Sequence, residues 1–291
     1  MVWAPAKLNL FLEVLAKRSD GYHEIESVMV TVSLYDALCF REDLSGELSF
    51  RWEVVEGTGS HGACRGVSLP EGRENLVVQA AELLRRHSRV WKGARMHLTK
   101  RIPIAAGLAG GSSDAAAALV ALNRLWSLGL SAEELGGLAA QLGSDVPFFL
   151  FAPAAVCRGR GERVAPLRFP STLHFVVTCP SEALSTARVY GACQPARHPA
   201  GPGAFVESLK AGRLDALGRQ LFNRLQPTAE GLCEAIGQQR RVMSGCGVVG
   251  HQMSGSGPSY YGLCRSAREA RRVAARLAAQ GVPAFAVRTS P

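Results

Sequence analysis

Residues 103–119 read PIAAGLAGGSSDAAAAL, the densest chemical signal in the chain. Gly107, Gly110 and Gly111 leave backbone N–H groups unobstructed by Cβ atoms, so a loop built on them can close around an anion. Leu108 and Ala109 complete that loop, and Ser112 and Ser113 add hydroxyls. The alanine-rich run behind them is helical and turns its positive end toward the same place. The chemistry this suits is phosphate binding. Neither standard fingerprint fits, because no Gly-Lys-Ser/Thr closes the loop and no G-x-G-x-x-G opens it. The anion's charge must therefore be met by backbone, helix dipole, Mg²⁺ or a lysine from elsewhere. A second run, MSGSGPS at 253–259, reads as a tight turn before a strand, or as a partner that packs on the first loop.

Candidates for the remaining chemistry are scattered. Asp145, in LGSDVPFF, is a carboxylate at the edge of an apolar run, which suits a general base and equally a helix cap. Lys7 and Asn9 share one face of an N-terminal strand. A lysine beside Asp145 would keep that carboxylate ionised and neutralise a phosphoryl group in transfer, although alone it would pass for a solvent-facing strand residue. Tyr22 and His23, in DGYHE, follow a turn. An aromatic ring next to a hydrogen-bonding ring suits stacking on a nucleobase and reading its edge.

The elements that would position these groups follow from periodicity. KLNLFLEV alternates, putting Leu8, Leu10, Leu12 and Val14 on one face and Lys7, Asn9, Phe11 and Glu13 on the other. The turn RSDG leads into a second β-rich run, YHEIESVMVTVSLYDALCF. Residues 56–73 read as a loop. ENLVVQAAELLRRHS is helical, and ARMHLTKRIP is a strand that delivers the chain into the glycine loop. The next helix is expected to start near Ser112 or Ser113 and to end around Gly129. Ser131 and Glu134 form a capping box for a helix ending at Gly143. Past about residue 155 the pattern restarts with strand HFVVTCP, a Pro/Gly loop, helices, strand SYYGLC, a helix and strand PAFAVRT. The fold class is α+β in two domains, 1–155 and 156–291.

Composition excludes several classes. With 291 residues, 47% hydrophobic and 20% charged, the chain is globular rather than disordered. Its apolar runs are too short to span a bilayer, so no membrane association is expected. The N-terminus lacks the marks of a signal peptide, and a cytoplasmic protein is expected. The eight cysteines show no C-x-x-C pair and no histidine at zinc spacing. The net charge of +9 is spread over arginines such as those of SAREARRVAARLAAQG, the solvated face of an amphipathic helix. It suits an anionic small molecule better than nucleic acid, which is not expected as a partner.

Taken together, APAKLNLFLEV, RSDGYHEIESVM, RENLVVQAA, KRIPIAAGLAGGSSDAAAAL, LGSDVPFFL, CRGRGE and MSGSGPS resemble the GHMP kinase superfamily, in the family's order and over nearly the whole chain. The N-terminal pair AKLNLFL and DGYHE resembles the branch that phosphorylates the 2-hydroxyl of CDP-methylerythritol in non-mevalonate isoprenoid biosynthesis. The resemblance implies a two-domain GHMP fold with its active site in the cleft between the domains, and Mg²⁺ and ATP as cofactors. It implies catalytic roles for Asp145 and Lys7, and ATP contacts from Gly107, Leu108, Ala109, Gly110, Gly111, Ser112 and Ser113. Lys100 and Asn75 fall where the family meets the rest of the nucleotide, and Asn9, Tyr22, His23 and Pro180 where it meets the substrate. No Mg²⁺ ligand is implied, and the chain is expected to act as a monomer or homodimer. Two departures stand out: NRLQ puts Arg224 and Gln226 where the family carries acids, and GPSYYGLC stands where the family continues with a short polar residue and phenylalanine. Homoserine- or mevalonate-type kinases and a catalytically silent ATP or metabolite sensor remain as alternatives.

Overall fold

The structure is a computed structural model describing residues 1–55, 69–151 and 153–290. The expected loop at 56–73 therefore falls mostly outside the described residues. In the first half, β1 (Val2–Lys17), β2 (His23–Asp43) and β3 (Leu48–Val54) are followed by α1 (Leu76–Ser88) and β4 (Gly93–Lys100). Next come α2 (Gly110–Leu125), α3 (Ala132–Leu142), α4 (Phe148–Phe151), β5 (Ala154–Gly159) and β6 (Arg163–Pro166). The second half contains β7 (His174–Thr178), α5 (Thr186–Ala192), α6 (Gly203–Lys210), α7 (Leu214–Gln220) and β8 (Phe222–Asn223). It ends with α8 (Gln226–Leu232), α9 (Glu234–Ser244), β9 (Gly250–Met253), β10 (Tyr260–Cys264), α10 (Ala267–Ala279) and β11 (Ala284–Arg288).

Seven strands form the first sheet, in the order β3-β4-β2-β1-β8, with β5 also on β2 and β6 on β5. The 21-residue β2 makes this possible. It pairs with β1 along one edge and divides its other edge between β5, at Ile25–Val30, and β4, at Ala37–Asp43. The second sheet is antiparallel, in the order β11-β7-β10-β9. One core lies between the two sheets and joins Leu8, Leu10 and Val30 to Phe175, Tyr261 and Val287. A second packs α1, α2 and α3 on the first sheet, around Leu84, Leu98, Leu119 and Trp126. A third lies under α9 and α10. Sequestering these side chains from water is the main force that holds the layers together.

The expected alternation of β1 fails at one position. Asn9 faces Met29 and Phe11 faces Val28, so Leu10 is an inserted residue, a bulge. Beyond it the faces exchange: Phe11 joins Leu8 and Leu10 between the sheets, while Leu12 turns with Lys7 and Asn9 toward the cleft. The carbonyls freed at the bulge are taken up from the second half. Gln252 Nε2 donates to the oxygens of Asn9 (2.9 Å) and Leu10 (3.2 Å), and the Tyr261 hydroxyl donates to Asn9 O (2.9 Å).

The expected boundary at 155 lies inside β5. The first sheet needs the β5–β6 hairpin to complete the edge of β2, so the chain changes sheets between Pro166 and His174. It also returns: β8 adds to β1 in parallel, at Phe11–Phe222 and Leu12–Asn223. The helix after the glycine loop begins at Gly110, earlier than expected, because Ala109 at φ 53° turns the chain without a side-chain cap. The Ser131–Glu134 capping box is present as read.

Candidate active site

A cleft of about 1070 Å³ is lined by both halves of the chain. At its floor are Lys7 and Asn9, 3% and 2% exposed. Lys7 Nζ donates to Asn9 Oδ1 at 2.5 Å and lies 3.6 Å from Asp145 Oδ2. Asn9 is oriented in turn, since its Nδ2 donates to Ser27 Oγ at 2.8 Å. Asp145 sits in the turn after α3, its side chain 29% exposed toward the cleft. A lysine held between a carboxamide and a carboxylate is a fixed positive charge beside a candidate base. The thiol of Cys157 is nearby, and burial, reinforced by the Asp145 charge, pushes its pKa up, so it is no nucleophile.

The glycine loop forms the wall above this pair. Ala105, Gly107 and Ala109 all have positive φ (55°, 75° and 53°), a conformation that costs a non-glycine residue energy and is kept where the surroundings enforce it. The enforcing partner is the second glycine loop. A Cβ on Gly107 would stand 2.5 Å from Ser254 O and 2.8 Å from Gly257 O. Ser254 Oγ donates to Gly107 O (3.2 Å), and Ser259 N–H to Ala106 O (3.1 Å). The packing alternative for MSGSGPS is thus the one the structure adopts. Gly255 reaches the floor itself, where a Cβ would lie 3.1 Å from Lys7 Nζ. Gly107, Ala109, Gly110, Gly111 and Ser112 line the cleft at the N-terminus of the 16-residue α2, an anion site by backbone geometry and dipole.

Other residues singled out from sequence are placed differently. Leu108 points into the core between the sheets, and its carbonyl accepts the Lys7 backbone N–H at 3.1 Å. Ser113 is buried behind the loop, its hydroxyl without a protein partner. Asn75 lines the cleft but also caps α1, with Oδ1 accepting Val77 N–H at 2.9 Å. Lys100 lines the cleft too, yet its buried ammonium is bound to Asp36 and, at 3.0 Å, to Asp114. Burial opposes that charge, and the two carboxylates overcome it and raise the lysine pKa. Burial and the neighbouring Asp36 drive Asp114 the same way. Pro180 is buried at the end of β7 and is not part of the cleft lining. The second half instead contributes Leu184, Ser185, Thr186 and Tyr190 around α5, because β7 ends below the cleft and α5 rises beside it.

At the far end, Tyr22 is 50% exposed and His23 is buried. Burial, with Lys17 adding repulsion, lowers the His23 pKa and favours the neutral ring, which can both donate and accept. Tyr190, which sequence reasoning missed, stands with its ring centroid 5.3 Å from His23. The available signal was the cap Ser185 opening a short helix with an aromatic five residues on, legible only once α5 is known to flank the cleft. Arg160, also missed, places its guanidinium 4.6 Å from the Tyr22 ring centroid.

The departures at 224 and 226 have structural partners. Arg224 donates through Nε and Nη2 to the fully buried Glu13, at 2.7 and 2.8 Å. Burial alone would raise the Glu13 pKa; these bonds, with the N–H groups of Ala200 and Val14, hold it below the usual carboxylate range. Gln226 accepts from Met253 N–H (3.0 Å) and donates to the hydroxyl of Tyr260 (3.2 Å), an aromatic of the unusual SYYGLC run.

A fold of two stacked sheets flanked by helices, with a glycine loop, a lysine and an aspartate lining one cleft, is that of a small-molecule phosphotransferase. The family described as "GHMP kinases N terminal domain" matches residues 75–152 and that described as "GHMP kinases C terminal" residues 205–283. The chain belongs to the GHMP kinases, and within them to the 4-diphosphocytidyl-2-C-methyl-D-erythritol kinases. It is 44% identical to the enzyme of that name from Pelotomaculum thermopropionicum, over 94% of this chain and 92% of the relative. It is 38% identical to the one from Exiguobacterium sibiricum, with the same coverage. A crystal structure of a 4-(cytidine 5'-diphospho)-2C-methyl-D-erythritol kinase superposes with a TM-score of 0.81 at 35% identity, covering 100% of this chain and 99% of that one. Homoserine kinase from Cytophaga hutchinsonii shares the fold alone, at a TM-score of 0.72 and 18% identity over 98% of this chain and 95% of that one.

Proposed function

We propose that the chain transfers the γ-phosphoryl group of ATP to the 2-hydroxyl of 4-diphosphocytidyl-2-C-methyl-D-erythritol, releasing ADP, in non-mevalonate isoprenoid biosynthesis. The observation that carries this reading is the placement of Lys7 Nζ between Asn9 Oδ1 and Asp145 Oδ2 (2.5 and 3.6 Å) in the same cleft as the glycine loop. Asp145 takes the hydroxyl proton as the oxygen attacks phosphorus. Lys7 Nζ, 3.6 Å from Asp145 Oδ2, orients that carboxylate and neutralises the equatorial oxygens. The N–H groups at the head of α2 hold the phosphates as charge develops. Tyr22 stacks on the cytosine ring and His23 reads its edge, with Tyr190 behind it.

Magnesium fits the donor set of the cleft. Among the described residues no group of three or more acidic, histidine or cysteine side chains converges on one point, while Ser112 offers a hydroxyl oxygen in the glycine loop. One or two protein oxygens are the usual share for an ion held chiefly by nucleotide phosphates and water. Ser112 would supply that protein oxygen, and the ion's contribution when bound would be charge neutralisation on the transferring phosphates.

The same reading places the enzyme in the cytoplasm. In support, Cys39, Cys157, Cys193, Cys233, Cys246 and Cys264 are free thiols. Among the described residues no helix is long and apolar enough to cross a membrane. Monomer and homodimer both suit it, since one chain lines the whole cleft. The decisive assay is ADP release with 4-diphosphocytidyl-2-C-methyl-D-erythritol, homoserine and mevalonate in parallel. Turnover with the first alone is expected. Preference for either other acceptor overturns the substrate, and binding of ATP without ADP release from any acceptor supports a sensor.

A further inference from the structure

Arg160, which the mechanism does not use, stands at the tip of the β5–β6 hairpin. Gly159 and Gly161 flank it at φ +75° and +121°, and Gly161 N–H closes the turn on Arg158 O at 3.1 Å. The Glu162 carboxylate folds back under this turn. It accepts the Arg160 backbone N–H at 2.6 Å and lies where a Cβ on Gly159 would stand, 2.6 Å from Oε1. Its charge is thus spent on the turn's backbone, and it approaches the guanidinium only to 3.9 Å, at Nε. One further N–H, on Nη2, donates to Ala140 O at 3.3 Å. The rest of the fork is uncommitted, and the side chain is 25% exposed at the cleft.

The turn reaches both ends of the cleft. On one side the guanidinium backs the Tyr22 ring at 4.6 Å. On the other, a Cβ on Gly161 would lie 3.4 Å from Ser144 O and 3.6 Å from Asp145 Oδ1. A substrate with its base at Tyr22 and its reacting hydroxyl at Asp145 has to pass its diphosphate along this turn. Of the other cations lining the cleft, Lys7 is committed to Asn9 and Asp145 and Lys100 to Asp36 and Asp114, while Lys17, whose charge reaches His23, is a single ammonium without a planar fork. The carboxylate of Asp20, which also lines the cleft, is held by Arg18 at 3.0 Å and by its N–H bond from Tyr22, and feels the Arg160 charge at longer range. A planar fork with several free donors is the group that best matches phosphate oxygens.

We infer that Arg160 determines specificity for a nucleoside diphosphate-linked substrate: its guanidinium binds the diphosphate while its flat face supports the ring that stacks on the base. The inference rests on the function proposed above. It separates two jobs, anion binding and support of Tyr22, that different ligands report. The test measures inhibition by CDP and by cytidine, alongside steady-state kinetics, for wild type, Arg160→Met and Arg160→Lys. In the wild type CDP should bind at least about tenfold more tightly than cytidine. Arg160→Met should abolish most of that preference, raise the KM for the diphosphate substrate about 10- to 100-fold, and leave the KM for ATP and kcat within about threefold. Arg160→Lys, keeping the charge but not the fork, should recover part of the preference. An unchanged KM and preference in Arg160→Met overturns the inference, as does an equal weakening of CDP and cytidine, which would make Arg160 a prop for Tyr22 alone. An unchanged KM for ATP certifies that the variant is folded. Failure of the underlying reading looks different: the wild type itself would then release no ADP with this substrate.

Discussion

The two ends of the cleft are built in opposite ways. At the proposed transfer end, Lys7 and Asn9 project from the interior of β1, paired with β2 at Thr31 and Met29, with the Lys7 N–H donating to Leu108 O, and both are almost wholly buried. Asn9 alone is fixed by Lys7, Ser27, Gln252 and Tyr261. At the recognition end, Tyr22 sits in a turn, Arg160 on a hairpin tip and Tyr190 on a seven-residue helix, and Tyr22 is half exposed. The difference teaches where positional accuracy is required. Phosphoryl transfer is lost when atoms move by about an ångström; the sheet enforces that tolerance on Lys7 and Asn9, and Lys7 passes it to Asp145, which sits in a turn. A base and a diphosphate are read by broad faces and forks that turns and hairpins can carry.

The contrast breaks most visibly at the base. Asp145→Asn is expected to lower kcat about 10³-fold with KM values for both substrates nearly unchanged, and near-normal turnover would remove Asp145 from the mechanism. Lys7→Met should lower kcat about 10²-fold and raise the KM for ATP. Because the two residues act as one unit, the double variant with Asp145→Asn should be little worse than the worse single variant. At the recognition end the effect should move to KM. Tyr22→Ala is expected to raise the substrate KM by about 5- to 150-fold, the range of a lost base stack, with kcat held, and a kcat defect instead would erase the distinction between the ends. Smaller still is the response to acid. His23 is held neutral by burial and Lys17, its pKa below the ordinary 6.5. Substrate KM should therefore stay flat as pH falls through 6.5 and rise only below the depressed value, as the ring gains a proton. His23→Gln should lack that rise, and a wild-type rise already centred at or above 6.5 contradicts the assignment.

Gly107→Ala probes what joins the two ends to the loops. Its Cβ would strike backbone oxygens of the second loop in a left-handed conformation. Thermal unfolding should show a loss of about 1–3 kcal/mol, with weaker ATP binding.

Much of this was legible in the sequence, and the reasons for the rest are physical. Glycines and serines ahead of a helix announce the loop that opens on the cleft at the head of α2, because few other uses need that backbone freedom. The alternation of KLNLFLEV announces β1, yet it cannot show the bulge at Leu10, which depends on the register of β2. The expected boundary at 155 cuts through β5, because strand signals in β5 and β6 do not say which sheet they join. Lys100 carries the charge expected near a nucleotide, but Asp36 and Asp114, distant in sequence, already hold it. Arg224 stands out against the family pattern until its partner is known. Glu13, read as one more outward residue of an alternating strand, is buried beneath it.

The two residues of β8 have a consequence for how this enzyme can change. A segment deep in the second half supplies the edge of the first sheet, and its Asn223 holds the second glycine loop through Met253 O and Gly255 O at 2.9 and 2.8 Å. The halves are therefore not interchangeable cassettes. A chimera joined between Pro166 and His174 would import a foreign edge strand and a foreign buttress for the phosphate loop along with its new recognition surface. New acceptor specificity is more accessible through the turn at Tyr22, the hairpin at Arg160 and the helix at Tyr190, three short grafts that leave the shared sheet intact.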